Sequence, residues 1–308
     1  MANNPSSAVS KAGPNAGDDT IARLLMRNAA EFANDIAMRE KDRGIWREVT
    51  WSAYAEEVLC CAAGFMALGV KPGDAVIILG DNRVRLYAGM TAMSMLRAHA
   101  MPAYPGATLD ELKHFFEEAR VVAALAEDQE QVDKILDLRD AGTSVASIVY
   151  DEVRGLNLYD APGLQSWENL LEAGAKKLSA DPDLRVRLIE GSKPEDPAVF
   201  MHSSGTTGKP KGIVLSQKNV LSGARNAYAG GAFDYGEDIL GYLPMAWVGD
   251  FALTVAAAIA FRFTVNVPER QETVQRDMRE VASSLYLAAP RSWDHMLTTI
   301  QVGMENST

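Results

Sequence analysis

Short, wholly apolar runs that alternate with helical periods of ten or more residues constrain this chain most. Ala75-Val-Ile-Ile-Leu79 has no polar residue at either alternate set of positions, which fits a strand buried on both faces. Before it, Thr50 or Ser52 can cap a helix whose apolar side chains fall at Tyr54, Val58, Cys61, Ala62, Phe65 and Leu68. Gly69 stops that helix, and Lys71-Pro-Gly-Asp74 makes a turn. The rhythm continues with a helix over 83–97, a strand near 100–104 and a helix opened by the capping box Thr108-x-x-Glu111. A strand at 121–126, a helix at 129–140 and a strand at 147–150 follow. After the turn Pro194-Glu-Asp-Pro197, strands are predicted at 198–202, 212–215, 238–243, 263–267 and 284–289, with helices at 217–229, 248–260, 271–282 and 291–303. This alternation specifies an α/β fold of layered, mostly parallel sheets with helices on both faces.

Composition narrows the function. The 308 residues carry a net charge of −11, too acidic for a general binder of nucleic-acid backbones. Cys60 and Cys61 are the only cysteines and are adjacent, so no disulfide framework or metal-ligand spacing exists. Two cysteines suit a reducing cytoplasm, with peripheral membrane attachment left open. No apolar run reaches the ~20 residues of a membrane span. Residues 1–18, rich in Ala, Asn, Ser, Gly and Pro, read as a disordered tail. His99, His114 and His295 stand singly and read as structural or surface histidines, with His114 away from the loop described next. Glu117-Glu118 and 127–130 read as solvated helix faces.

The chemistry concentrates in His202-Ser-Ser-Gly-Thr-Thr-Gly-Lys-Pro-Lys-Gly-Ile-Val214. Gly205, Gly208 and Gly212 let successive N–H groups turn inward. Ser203, Ser204, Thr206 and Thr207 add hydroxyls, and Lys209 and Lys211 add charge. A dense donor loop between two apolar strands suits a polyphosphate. It is not a Walker A loop, because Pro210 follows the lysine and imposes extended geometry on its neighbour. Strand–loop–strand is therefore expected. A plain polar hairpin is the bland alternative, and it leaves so many donors in register unexplained.

The core Ser204-Gly-Thr-Thr-Gly-Lys-Pro-Lys-Gly212 resembles the phosphate loop of the adenylate-forming superfamily, which includes acyl-CoA synthetases, luciferases and peptide-synthetase adenylation domains. His202 stands where that family usually has Tyr or Phe. Thr50-Trp-Ser-x-Tyr54, Ala67-Leu-Gly-Val-Lys-Pro-Gly-Asp74, Asp81-Asn82 and Leu243-Pro-Met-Ala-Trp247-Val-Gly249 resemble further family motifs. Ala289-Pro-Arg-Ser-Trp-Asp294 is similar to the corresponding segment of long-chain fatty acyl-CoA synthetases. The resemblance implies ATP and Mg2+ as cofactors, fatty acid and CoA as substrates, and Trp247 beside the acyl-adenylate pocket. A core role for Trp247 is the competing reading.

It also implies a discontinuous layout, with residues 51–216 forming one subdomain and residues 20–50 and 217–308 beginning a second. The family's Tyr-Gly-x-Thr-Glu turn, ribose-binding Asp and small C-terminal domain are not found in the 308 residues. The expectation is an N-terminal fragment of a long-chain acyl-CoA ligase, inactive alone. A split or regulatory nucleotide-binding subunit is the alternative. An incomplete second sheet would expose Phe251, Leu253, Val265 and Leu285 and promote self-association.

Overall fold

The computed structural model describes residues 19–203 and 210–305. The predicted tail at 1–18 and loop residues 204–209 lie outside the described residues.

Helix α1 (Ile21–Glu31) is capped by Thr20, whose side chain accepts from the Arg23 N–H. A hairpin follows, β1 (Ile36–Asp42) and β2 (Ile45–Thr50), turned by Arg43 and Gly44 with φ of 49° and 78°. Two consecutive positive φ angles match the twist of the flanking strands. Thr50 then caps α2 (Trp51–Ala67), accepting from Ala53 N at 3.2 Å, as its position predicted. Gly69, with φ 91°, ends that helix before β3 (Ala75–Leu79). All five β3 residues are fully buried, so both faces carry packing. Each of its large side chains contributes about 1.5–3 kcal/mol by burial.

Next come α3 (Val84–Leu96), β4 (His99–Ala103), α4 (Leu109–Glu118), β5 (Val121–Ala126), α5 (Gln129–Asp140) and β6 (Ser147–Tyr150). The Thr108–Glu111 capping box opens α4 with both reciprocal bonds formed. Helix α3 is apolar nearly all round because it touches β3, β4 and β5 of one sheet and β1 of the other. Residues 151–196 carried no predicted element. There the chain forms β7 (Leu164–Ser166), α6 (Trp167–Ala180) and α7 (Leu184–Glu190). Helix α6 lies unusually close to α2: a side chain at Gly174 would collide with the Cys60 carbonyl.

Strands β8 (Pro197–Ser203) and β9 (Lys211–Ser216) precede α8 (Gln217–Ala229) and β10 (Asp238–Leu240). The predicted helix at 248–260 is continuous but mixed: α9 (Val248–Phe251), a π-helical stretch over Ala252–Ala257, and α10 (Ala258–Phe261). β11 (Thr264–Val267), α11 (Val274–Val281) and α12 (Pro290–Glu305) complete the described chain. The strand expected at 284–289 is absent. Only an isolated bridge, Ile239 to Leu285, forms, because its neighbour β10 is three residues long and gives no ladder to extend.

Seven strands order as β7-β6-β5-β3-β4-β8-β9, parallel except for the antiparallel β8–β9 pair. Four strands order as β10-β11-β1-β2, parallel except for the β1–β2 hairpin. These are the layered, mostly parallel sheets flanked by helices that the alternation specified. The exposed apolar surface lies elsewhere than expected. Phe251, Leu253 and Val265 are buried against the main core, and Leu285 is half-buried. The exposed large side chains Trp293, Leu297, Ile300 and Met304 lie on α12.

Candidate functional site

The described ends of the predicted phosphate stretch form the stem of the β8–β9 hairpin. The pair Ser203 and Lys211 closes the ladder, with His202 opposite Gly212 behind it. This is the strand–loop–strand geometry that Pro210 implied. Ser203 Oγ donates to the Lys211 carbonyl at 3.3 Å. Lys211 is exposed. Gly212 has a packing role: a Cβ there would collide with the Phe200 ring and meet Glu118 Oε2 at 2.9 Å. Ser204, Gly205, Thr206, Thr207, Gly208 and Lys209 lie outside the described residues.

Helix α4 buttresses this stem. Its buried Phe115 stacks flat on His202, with ring centroids 3.6 Å apart. His114 Nε2 lies 3.0 Å from the Pro210 carbonyl. That carbonyl can only accept, so His114 carries its hydrogen on Nε2. His114 is therefore in contact with the loop stem, not away from it. Glu118 is exposed, as its helix face predicted, and also reaches the stem: its Oε2 lies 3.2 Å from His202 Nε2. Sequence reasoning missed both because the contacts join segments some ninety residues apart. The signal available was His202 itself, a polar ring at an aromatic position.

A second constellation ties the two sheets together. Asn82, three residues past the end of β3, donates to the Leu243 carbonyl at 2.8 Å and to the Tyr87 hydroxyl at 2.6 Å. Tyr87 donates in turn to Asp250, and Thr254 Oγ1 donates to the Asp250 carbonyl at 2.7 Å. Asp250 is fully buried, and that burial pushes its carboxyl up to about 8. The network anchors the Leu243–Pro244 turn that leads to Trp247. Trp247 itself is 36% exposed at the N-terminus of α9, its N–H bonded to Pro244 O at 2.8 Å. It is not a core aromatic.

An open crevice of about 890 Å³ lies at the carboxyl ends of β3, β4, β5 and β6. Asp81, Arg83, Gly106, Glu127 and Asp151 line it, and neither the described loop stem nor Trp247 does. Its charges pair with one another: Arg83 with Glu127 at 2.8 Å and Arg85 with Asp151 at 2.8 Å. Glu127, expected on a solvated face, instead accepts from Asp81 N at 2.6 Å. Burial raises the pKa of both Glu127 and Asp151, while the arginines oppose that rise. The crevice is an ion-paired seam between strand ends, and the hairpin stem is the better candidate for phosphate chemistry.

Residues 25–307 match the family model described as AMP-binding enzyme. The chain is 24% identical over 292 residues to the long-chain-fatty-acid–CoA ligase FadD15 of Mycobacterium tuberculosis, covering 94% of this chain and 46% of that protein. It is also 24% identical over 300 residues to the long-chain-fatty-acid–CoA ligase ACSBG2 of Xenopus laevis, covering 94% of this chain and 40% of that one. The chain thus spans less than half the length of these curated relatives. Among solved structures, acetoacetyl-CoA synthetase from Streptomyces lividans superposes with a TM-score of 0.69 at 21% identity, covering 82% of this chain and 39% of that chain. With a family model matched across nearly all of its described length, the chain belongs to the AMP-binding enzyme family.

Proposed function

We propose that this segment supplies the phosphate-loop half of a long-chain fatty acid–CoA ligase. The complete reaction joins a fatty carboxylate to AMP from ATP, releases pyrophosphate, and passes the acyl group to CoA. The observation that carries this reading is the β8–β9 hairpin. It closes on Ser203 and Lys211, the two residues that flank the Ser204–Lys209 donor run in sequence, at the carboxyl end of β8. In this reading Ser203, Ser204, Gly205, Thr206, Thr207, Gly208, Lys209 and Lys211 hold the phosphates, and Gly212 keeps the stem closely packed. Trp247, partly exposed and anchored through the Leu243 turn, borders the acyl-adenylate pocket. Such a site lowers the barrier by positioning reactants and neutralising phosphate charge.

The proposed division follows the two sheets, with residues 51–216 as one subdomain and residues 20–50 with 217–308 as part of another. Magnesium accompanies ATP in this chemistry. Among the described residues no three His, Cys, Asp or Glu side chains group to hold a metal ion, so no step is assigned to one here. Among the described residues no helix is long and apolar enough to cross a membrane, and a cytoplasmic place for the protein fits its two unpaired cysteines.

The 308 residues alone are proposed not to complete the reaction, because the Thr-Glu and ribose-Asp motifs of the family are not in their sequence. Pure protein incubated with ATP, magnesium, palmitate and CoA is expected to release no AMP or pyrophosphate above background. Sustained turnover would show that the catalytic groups have been misplaced.

A further inference from the structure

We propose that His114, Glu118 and His202 form a proton-operated clamp on the stem of the phosphate loop, tightening polyphosphate binding as it takes up a proton. The proposal rests on reading 203–212 as a phosphate site.

One turn of α4 grips both ends of the loop. On the incoming strand, His202 lies flat on Phe115, with rings 17° from parallel. Its side chain is only 7% exposed. Among the described residues neither ring nitrogen has a hydrogen-bond partner. A buried polar ring left in that state needs an explanation. Glu118 Oε2, at 3.2 Å, is near enough to Nε2 to feel its charge but not aligned to accept a hydrogen bond from it. On the outgoing strand, His114 donates to the Pro210 carbonyl, and its Nε2 lies 3.5 Å from the other Glu118 oxygen. The carboxylate therefore sits between the two imidazoles. Gly212 leaves room for it.

Burial holds His202 below the usual histidine range, with Glu118 opposing that shift and His114 adding to it. With His202 neutral, the Glu118 carboxylate leaves a net negative charge beside the stem of a loop read as a polyanion site. One proton on His202 turns that charge into a neutral pair. A polyphosphate in the loop favours the protonated form, and by linkage the protonated form favours the polyphosphate. The remaining groups facing this cluster are few. Lys211 precedes Gly212 on β9, and His99 on β4 lies beyond Phe200, their rings 6.0 Å apart. Lys113 and Glu117 point from the exposed side of α4.

The test follows the imidazole resonances of His202 by NMR between pH 5 and pH 8.5, with and without inorganic pyrophosphate. It compares the natural protein with Glu118→Gln, His114→Gln and His202→Phe. Glu118→Gln is expected to lower the His202 titration midpoint and leave that of His99 in place. Pyrophosphate is expected to raise the His202 midpoint. His202→Phe keeps the stack, removes the proton and reports the ligand's own pH dependence. Relative to it, the natural protein should gain about fivefold in pyrophosphate affinity between pH 8 and pH 6, within the tenfold per pH unit one linked proton allows. A His202 midpoint unmoved by Glu118→Gln overturns the clamp, as does a ratio of affinities that does not change with pH. No pyrophosphate binding at any pH overturns the underlying reading of the loop, and the His202 response to Glu118→Gln separates that failure from the first.

Discussion

Tyr87 donates its phenolic hydrogen to the carboxyl of Asp250, 3.0 Å from Oδ2 and 3.1 Å from Oδ1, across the boundary between the two sheets. Asn82 braces the same pair from the end of β3, its Nδ2 3.5 Å from Oδ1. Among the described residues no cation offsets the burial of the carboxyl, and its pKa is pushed up to about 8.

That shift makes stability depend on pH, with a defined sign. An unfolded aspartate releases its proton near pH 4. Between that pH and about 8 the folded chain keeps a proton that the unfolded chain has lost. The folded state therefore binds more protons, and its stability falls as pH rises through that window, by up to about 1.4 kcal/mol per pH unit. Asp250→Asn removes the term. In urea unfolding, the variant should gain on the natural protein steadily from pH 5 to pH 8. Tyr87→Phe removes the hydroxyl donor and should cost about 1–3 kcal/mol, more at pH 8 than at pH 5. Parallel pH profiles for the natural protein and Asp250→Asn would count against a neutral buried acid.

Two glycines predict opposite outcomes. Gly174→Ala on α6 drives a methyl into the Cys60 carbonyl of α2, so the helices must separate. Overpacking of that kind costs about 1–3 kcal/mol. Gly223 sits in the exposed interior of α8, where a Cβ meets nothing within 4 Å. Gly223→Ala should stabilise by about 0.5–1 kcal/mol through helix propensity. Thermal melts of both variants decide the matter, and a destabilised Gly223→Ala or a neutral Gly174→Ala would contradict these contacts.

Helix α12 predicts where association occurs. Trp293, Leu297, Ile300 and Met304 recur at spacings of four, three and four residues and are each about half or more exposed. That is the seam spacing of a paired helix, which a second copy of this chain can complete. Two heptads make a weak seam, so sedimentation of the 308-residue protein should show dimer that dissociates on dilution. Leu297→Glu with Ile300→Glu should abolish it. Monomer at all concentrations, or dimer that survives the double change, would exclude this surface.

The parts of the fold legible in sequence are those written locally. β3 and β5 announce themselves because burial on both faces makes nearly every position apolar. Thr50 and Thr108 cap their helices through bonds three residues away. The β1–β2 hairpin was not legible, because Ile36–Asp42 carries four charged residues. Lys41 is buried there only because Asp277, 2.8 Å away, and Glu280 meet it from α11. The candidate site divides the same way. Its hairpin followed from Pro210 and the flanking apolar runs. The Glu118–His202 and Tyr87–Asp250 contacts join segments that only the folded sheets bring together.

The charge of the phosphate loop can be removed one lysine at a time. Lys209 and Lys211 are the concentrated positive charge of the loop in a chain of net charge −11. Well-placed charge-assisted hydrogen bonds contribute roughly 1.5–3 kcal/mol each. A site open to water delivers less, so the 308-residue protein should bind ATP or pyrophosphate with a dissociation constant around 1 mM, or about 4 kcal/mol. Lys209→Met and Lys211→Met should each weaken binding severalfold, and added salt should weaken it in the natural protein. Gly205→Val and Gly208→Val should abolish it through backbone geometry, leaving the charge intact. His114 contacts Pro210 and cannot serve as the neutral site. Glu172, exposed on α6 and paired with Lys176, can: Glu172→Gln should bind as the natural protein does. Calorimetric titration returning one affinity for all of these proteins would place the phosphate site away from the β8–β9 hairpin.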